Sequence, residues 1–253
     1  MSDTPRLKRR NHGKGHSYQL DGSKVIGVTT VCDVMSKPAL IDWAANTTAE
    51  AAVDRWDELS GMPPSTRLNT LKRARWDVSK AAALRGTQIH ALGERVANGE
   101  ADVDAGVHIG EVEAYARFLD WYDVQVIATE TPLCHTRFRY AGTADVWAVI
   151  GRLGGVRCLL DVKTGRGVYD ETAMQLAGYR YADLWQPDGP ESEEPLPPVD
   201  AVYVAHVLPD RVDLLPVEAD EATFLKFRYA LELVRWREGG PWIGAAVDER
   251  AVS

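Results

Sequence analysis

Apolar positions along the chain first alternate with polar ones, then recur at helical spacing, then alternate again. Near the start, "SYQLDG" and "KVIGVTTV" read as a short strand pair. From Pro38 the period lengthens. The run "PALIDWAANTTAEAAVDRWDEL" (residues 38–59) repeats its apolar positions every three or four residues, with Pro at the favoured first position of a helix. "SGMPPST" reads as a loop, and a second helical region follows from about Arg67 to Asn98, stopped by Gly99. "GEVEAYARFLDWYD" predicts a further amphipathic helix.

Beyond it the period drops to two. "VQVIATETPL", "FRYAGTADVWAVI" and "VRCLLDVKT" predict three consecutive strands, with "GRLGG" as a turn. "ETAMQLAGYRYADLW" predicts a helix, and the acidic, proline-rich segment 186–198 a surface loop. "AVYVAHVL" and "RVDLLPV" predict two more strands, and "EATFLKFRYALELVRWREG" a closing helix. From about residue 80 the order is helix, helix, three strands, helix, two strands, helix. That is an α/β sheet with helices on its faces. Residues 1–80 read as a strand pair and helical addition to a core at 81–253, with no internal repeat.

Composition narrows the class. The 253 residues are 45% hydrophobic and 26% charged, ordinary for a soluble globular protein. No apolar run approaches the ~20 residues that span a membrane, so no membrane partner is expected. The start, "MSDTPRLKRRNHGKGH", lacks the apolar stretch of a secretory signal, and a cytoplasmic location is expected. Cys32, Cys134 and Cys158 are far apart and form no CxxC pair. They suit a reducing compartment as inert thiols and exclude a zinc ribbon or four-cysteine iron–sulfur site. The eight Trp stand at helix or strand spacing and are expected mostly in the core. His12, His16, His108, His135 and His206 fall in no pattern and read as structural.

The net charge of −8 alone counts against a polyanionic partner, but it is unevenly spread. "DGPESEEP" is strongly acidic, whereas "RLKRR" and "LKRARWDVSKAAALRG" are basic. Lys72, Arg73, Arg75, Lys80 and Arg85 form a local stripe that can bind phosphates on an otherwise acidic protein.

The candidate chemistry starts from "CLLDVKTG". On a strand, Asp161 and Lys163 point one way while Leu160 and Val162 point the other. Asp145, in "YAGTADVWAVI", lies on the preceding strand, which usually pairs with the next, so the two carboxylates are expected to converge. His90, in "RGTQIHAL", stands on a helix just after Gly86, whose missing side chain is expected to let that helix approach the sheet closely. Gln175 and Tyr179, in "MQLAGY", share a helix face. Two carboxylates and an imidazole suit a hard or borderline divalent cation, and a neighbouring Lys suits charge stabilisation at phosphorus.

With these residues the chain resembles the PD-(D/E)XK nucleases, in the RecB-like exonuclease branch common in phages. "RGTQIH" matches the GT-x-x-H helix, "YAGTADVWA" the first acidic motif, "LLDVKTG" the (D/E)-x-K motif and "QLAGY" the Q-x-x-x-Y helix. "SYQLDGSKVIGVTTVCDVMSKPALIDWAA" also resembles the opening segment of phage members. The resemblance implies a restriction-endonuclease-like core, a central mixed sheet flanked by helices. It implies His90, Asp145, Asp161 and the Val162 carbonyl as ligands of Mg²⁺ or Mn²⁺, and Lys163 as the catalytic lysine. Gln175 and Tyr179 become DNA-contacting or site-organising groups, and Glu130, in "IATETPL", a second-shell or second-metal carboxylate. The implied activity is a metal-dependent DNA exonuclease, phage-encoded, acting on linear or single-stranded DNA in replication or recombination beside a single-strand annealing or other recombination protein. The cluster-binding cysteines of some relatives are absent, and no G-x-x-x-x-G-K-[ST] is present, so a stand-alone nuclease without an iron–sulfur cluster is expected. A structure-specific or nicking endonuclease of the same fold, and a non-catalytic DNA-binding or assembly protein, are the alternatives.

Overall fold

The computed structural model describes residues 6–12, 15–35, 37–100 and 103–244. It opens with three antiparallel strands, β1 (Leu7–His12), β2 (Gly15–Leu20) and β3 (Ser23–Gly27). The basic run "RLKRR" is thus mostly an edge strand, with Lys8 and Arg10 outward, Arg9 half-buried and Leu7 fully buried. At Gly27 the chain bends into a helical turn, α1 (Val28–Cys32), so "KVIGVTTV" is half strand and half helix. The helix expected over 38–59 is two, α2 (Pro38–Asp54) and α3 (Trp56–Ser60), parted at Arg55. The next helix, α4 (Pro64–Ala97), runs 34 residues, about 50 Å. It passes unbroken through residue 80, so the expected division between 80 and 81 falls inside one helix. Gly99, at φ +82°, stops it as expected. Helix α5 (Ile109–Tyr122) follows.

The three expected strands are β4 (Val124–His135), β5 (Tyr140–Ile150) and β6 (Val156–Lys163). Helix α6 (Glu171–Arg180) ends before the expected Trp185, because Leu184–Trp185 forms a short strand, β7. The acidic segment 186–198 is not simply a surface loop. Glu194–Pro195 forms β8 against β7, and Gln186 is buried, its Nε2 donating to the Leu7 carbonyl at 2.9 Å. Strands β9 (Ala201–Val207) and β10 (Val212–Pro216) and helix α7 (Glu221–Glu238) complete the chain, with Asp220 capping α7 by accepting from the Thr223 N–H.

Strand β5 organises the sheet. Along one edge it pairs with β4 throughout, from Val124 opposite Ile150 to His135 opposite Tyr140. Its other edge is shared. The first residues pair in parallel with β3 (Ile26 opposite Tyr140, Gly27 opposite Ala141), and the last pair antiparallel with β6 (Val146 opposite Leu160 to Ile150 opposite Val156). Residues 142–145 therefore lie in a fork between two docked strands. Beyond Leu160, β6 leaves β5 and continues in parallel with β9, ending at Lys163 opposite His206.

Helices cover both faces. On one, Leu133, Tyr140, Trp147 and Leu159 pack against Leu176, Phe227 and Leu231 of α6 and α7. On the other, Val146, Leu160, Val162 and Ala205 pack under Tyr115 and Phe118 of α5. Each fully buried aliphatic side chain contributes ~1.5–3 kcal/mol. The mixed sheet, flanked by helices, is thus an α/β fold. Among the described residues no helix is long and apolar enough to cross a membrane.

Candidate metal centre

The alternation in "LLDVK" holds. Leu160 and Val162 enter the core under α5, which sends Asp161 and Lys163 to the opposite face at the strand end. Asp161 is 1% exposed. The Lys163 Nζ stands 2.7 Å from its Oδ2 in a close ion pair, and among the described residues no other group partners either Asp161 oxygen. Burial first, then repulsion from Asp145, pushes the Asp161 carboxyl up to about 6. Burial pulls the Lys163 ammonium down, but Asp161 and Asp145 outweigh it and its net shift is upward.

Asp145 sits in the fork of β5, where no sheet partner competes for it. Its Oδ2 accepts the Val162 backbone N–H at 2.8 Å, closing the gap that β6 leaves as it departs. The register that sets Thr129 opposite Val146 and Thr131 opposite Ala144 places Glu130 opposite Asp145. Glu130 has φ +45°, a left-handed conformation costing an L-residue ~1–2 kcal/mol. Burial, then Asp145 and Glu94, raise its carboxyl above the usual range.

Helix α4 supplies His90, whose Nδ1 lies 3.9 Å from Asp145 Oδ2. Ligand atoms of His90, Glu130 and Asp145 all fall within 4.8 Å of one another. Beside them is a cavity of about 20 Å³, lined by His90, Glu94, Tyr115, Glu130, Asp145 and Val162. That is room for one water or one ion. The cavity adjoins a cleft of about 950 Å³ between α4 (Arg85, Gly86, Thr87) and the segment after β6 (Thr164 to Arg166). An imidazole and two carboxylates, with the buried Asp161 carboxylate beside them, fit a hard or borderline divalent cation.

The expected ligand set is rearranged. His90 and Asp145 converge as expected, but the third member of the close group is Glu130. Asp161 is outside it, turned to Lys163. Val162 lines the cavity and holds Asp145 through its N–H. Gly86 is not the tight approach expected, because a Cβ there would meet Thr164 Oγ1 at an ordinary 3.5 Å. A tight glycine does stand three residues before Asp145, at Gly142, where a Cβ would lie 2.5 Å from Tyr179 Cε1. Tyr179 is 3% exposed and its hydroxyl accepts from Gln175 Nε2 at 3.2 Å. The pair is thus joined within α6, with the Tyr179 ring enclosed under β5 against Gly142.

The basic stripe divides. Arg85 donates to the Thr164 carbonyl at 3.0 Å and to the buried Glu111 carboxylate, tying α4 and α5 to the end of β6. It holds these structural contacts while still lining the cleft. Lys72, Arg73, Arg75 and Lys80 are exposed on the first half of α4, and none is in an ion pair among the described residues.

Three further groups belong to the site. Glu94, one helical turn past His90, lines the small cavity, and the i, i+4 spacing is a signal readable in the sequence. Tyr115 is 2% exposed with an unpartnered hydroxyl on the same cavity. Arg9 of β1 places Nη1 3.9 Å from Glu130 Oε2, with its Nε buried and unpartnered. Neither of these two has a local sequence signal, since each arrives from a distant element. His16, read as structural, lines the wider cleft. Among the other histidines, His206 Nε2 donates to the Gly165 carbonyl at 2.9 Å, a structural tie. The three cysteines are buried and free, burial pushing each thiol up to about 12. The tryptophans depart from expectation: Trp147 and Trp185 are in the core, but Trp56, Trp76, Trp121, Trp236 and Trp242 are exposed.

No family model and no curated protein matches this chain. A solved structure described as "Crystal structure of SSO0001" is similar over 83% of this chain and 75% of its own, at 14% identity with a TM-score of 0.30.

Proposed function

We propose that this protein is a Mg²⁺- or Mn²⁺-dependent deoxyribonuclease with a restriction-endonuclease-like core, which degrades DNA from its ends. One observation carries the reading. Asp161 is a deeply buried carboxylate ion-paired to Lys163 at 2.7 Å, beside the His90, Glu130 and Asp145 group. Three carboxylates thus crowd one ammonium and one imidazole, an excess of negative charge that a divalent cation would offset.

The residues divide the work. His90, Glu130 and Asp145 would hold the cation, and the Val162 N–H keeps Asp145 in place. When bound, the cation lowers the pKa of water and offsets charge developing on a phosphate. Asp161 orients Lys163, whose ammonium faces the cleft where the phosphate would lie. Water oxygen bonds to phosphorus, the P–O3′ bond breaks, and the O3′ leaving group takes up a proton, leaving a 5′-phosphate. The 5′ assignment rests on the resemblance of "LLDVKTG" and its companion motifs to RecB-like nucleases.

Two measurements test this reading. Linear DNA with Mg²⁺ or Mn²⁺ is expected to shorten progressively, covalently closed circles to persist, and a chelator to stop the reaction. Rapid linearisation of closed circles while linear DNA survives would instead establish an endonuclease, and no cleavage of any form would leave a non-catalytic role. Cation binding is also expected to follow the raised Asp161 pKa. Below about pH 6 its carboxyl holds a proton and cannot face the cation, so Mn²⁺ affinity should fall by up to about tenfold per pH unit and level off above. Calorimetric titrations giving one affinity from acid to neutral pH would remove Asp161 from the site.

A further inference from the structure

We propose that the first half of α4 is a track for an unpaired DNA strand, with Trp76 as its stacking platform; this rests on the nuclease reading above. Residues 64–80 of α4 bury only Ala74. The rest of that half is surface, and its charge is one-sided. Between Pro64 and Gly93 the bases are Arg67, Lys72, Arg73, Arg75, Lys80 and Arg85, against the single acid Asp77. Arg67 is spent on the Leu59, Ser60 and Met62 carbonyls, and Arg85 on Glu111 and Thr164. Four cations are left facing solvent on a chain of net charge −8.

Trp76 stands among them, 61% exposed. The Arg75 guanidinium lies 4.6 Å from its ring centroid, so a cation already covers one face of the indole. At 100° per residue, Lys72, Arg75 and Trp76 fall within about 60° of His90 around the α4 axis. Gly86, which lines the cleft, falls in the same sector. The helix thus carries one continuous face from Trp76 to the metal-binding group, about 21 Å along its axis. A strand whose phosphodiester sits at Lys163 would extend along this face for a few nucleotides, phosphates on the cations and a base on the indole.

The occupant is a nucleic acid rather than a second copy of the chain, because a self-complementary contact would set this cationic face against itself. It is unpaired rather than duplex, because a stacked duplex hides the base faces that an indole recognises.

The test uses labelled oligothymidylate bound without added cation, in a short form that fills only the cleft and a long form that reaches the arm. Trp76→Ala is expected to weaken binding of the long form about tenfold or more, to leave the short form unchanged, and to be rescued by Trp76→Phe. Lys72→Ala and Arg75→Ala should each lower the salt slope for the long form by about 0.7. Trp121 is the control, equally exposed and stacked under Arg152 at 4.5 Å but remote from the cleft, and Trp121→Ala should bind as wild type. Unchanged binding of the long form by Trp76→Ala, an equal loss for a duplex, or a self-association that the substitution dissolves would each overturn the track. If the wild type degrades DNA and Trp76→Ala binds normally, only the track falls. A wild type that neither binds nor degrades DNA overturns the nuclease reading and the track with it.

Discussion

Asp161→Asn is expected to lower DNA cleavage by about 10³-fold or more, while the cation-free protein at pH 7 unfolds no more easily than the wild type. The first half follows from the loss of the charge that orients Lys163 and faces the cation. The second follows from burial. The folded-state pKa of Asp161, about 6, lies above its ordinary 3.8. Between those values the native state holds more protons than the unfolded state, so its stability falls as pH rises through that window and is level above it. At pH 7 the wild type carries the cost of an ionised buried carboxylate that its pair with Lys163 offsets only in part, and an amide of the same shape does not. The expected gain is on the order of 1–2 kcal/mol, offset in part by Lys163 turning to solvent, and it should shrink toward pH 4. Urea melts at two pH values, alongside end-labelled DNA assays, measure both halves. A variant that cuts normally refutes the site. One that loses both activity and stability shows that Asp161 is a structural member of the fold.

Gly142→Ala should be strongly damaging for a single added methyl group. A Cβ at position 142 would lie 2.5 Å from Tyr179 Cε1 and 3.1 Å from Val28 Cγ2. The tyrosine ring is enclosed and its hydroxyl is held by Gln175, so the backbone of β5 must move instead. Overpacking of this kind costs about 1–3 kcal/mol. The shift begins three residues from Asp145, where a misplacement of about 1 Å lowers rate by about 10². Gly86→Ala is the contrast. Its added methyl makes an ordinary contact with Thr164, and a helix-interior Gly→Ala gains about 0.5–1 kcal/mol. Equal stability of the two variants would mean that the Tyr179 ring gives way.

What was legible in the sequence depended on how local its cause was. Strands β4, β5 and β6 announce themselves because one face of each is buried over eight residues or more, and α7 because its apolar stripe recurs over five turns. Strand β1 is hidden since three consecutive residues of it are Lys8, Arg9 and Arg10, which read as a tail when the covering sheet is unknown. Strands β7 and β8 are two residues each, too short to show a period. The break at Arg55 lacks a Pro or Gly to mark it. In the site, His90, Asp145, Asp161 and Lys163 could be named because motif spacing ties each to its element. The centrality of Glu130 could not, because it depends on a positive φ and on a register set by the bulge near Ile127. Tyr115 and Arg9 reach the site through tertiary packing alone.

The shared edge of β5 bears on what part of this chain can be removed. Its two tenants come from opposite regions of the sequence, Ile26 and Gly27 from one and Val156 to Leu160 from the other. The notch holding Asp145 exists only while both are docked. A shortened chain beginning at residue 81 would cut α4 in its middle and strip β3 from Tyr140 and Ala141, leaving their N–H and C=O groups facing outward. Such a bare rim recruits other strands, so the shortened protein would aggregate before it lost its sheet. Strands β1 to β3 act as a selvedge, the woven margin that keeps the sheet from unravelling at the point where it is forked.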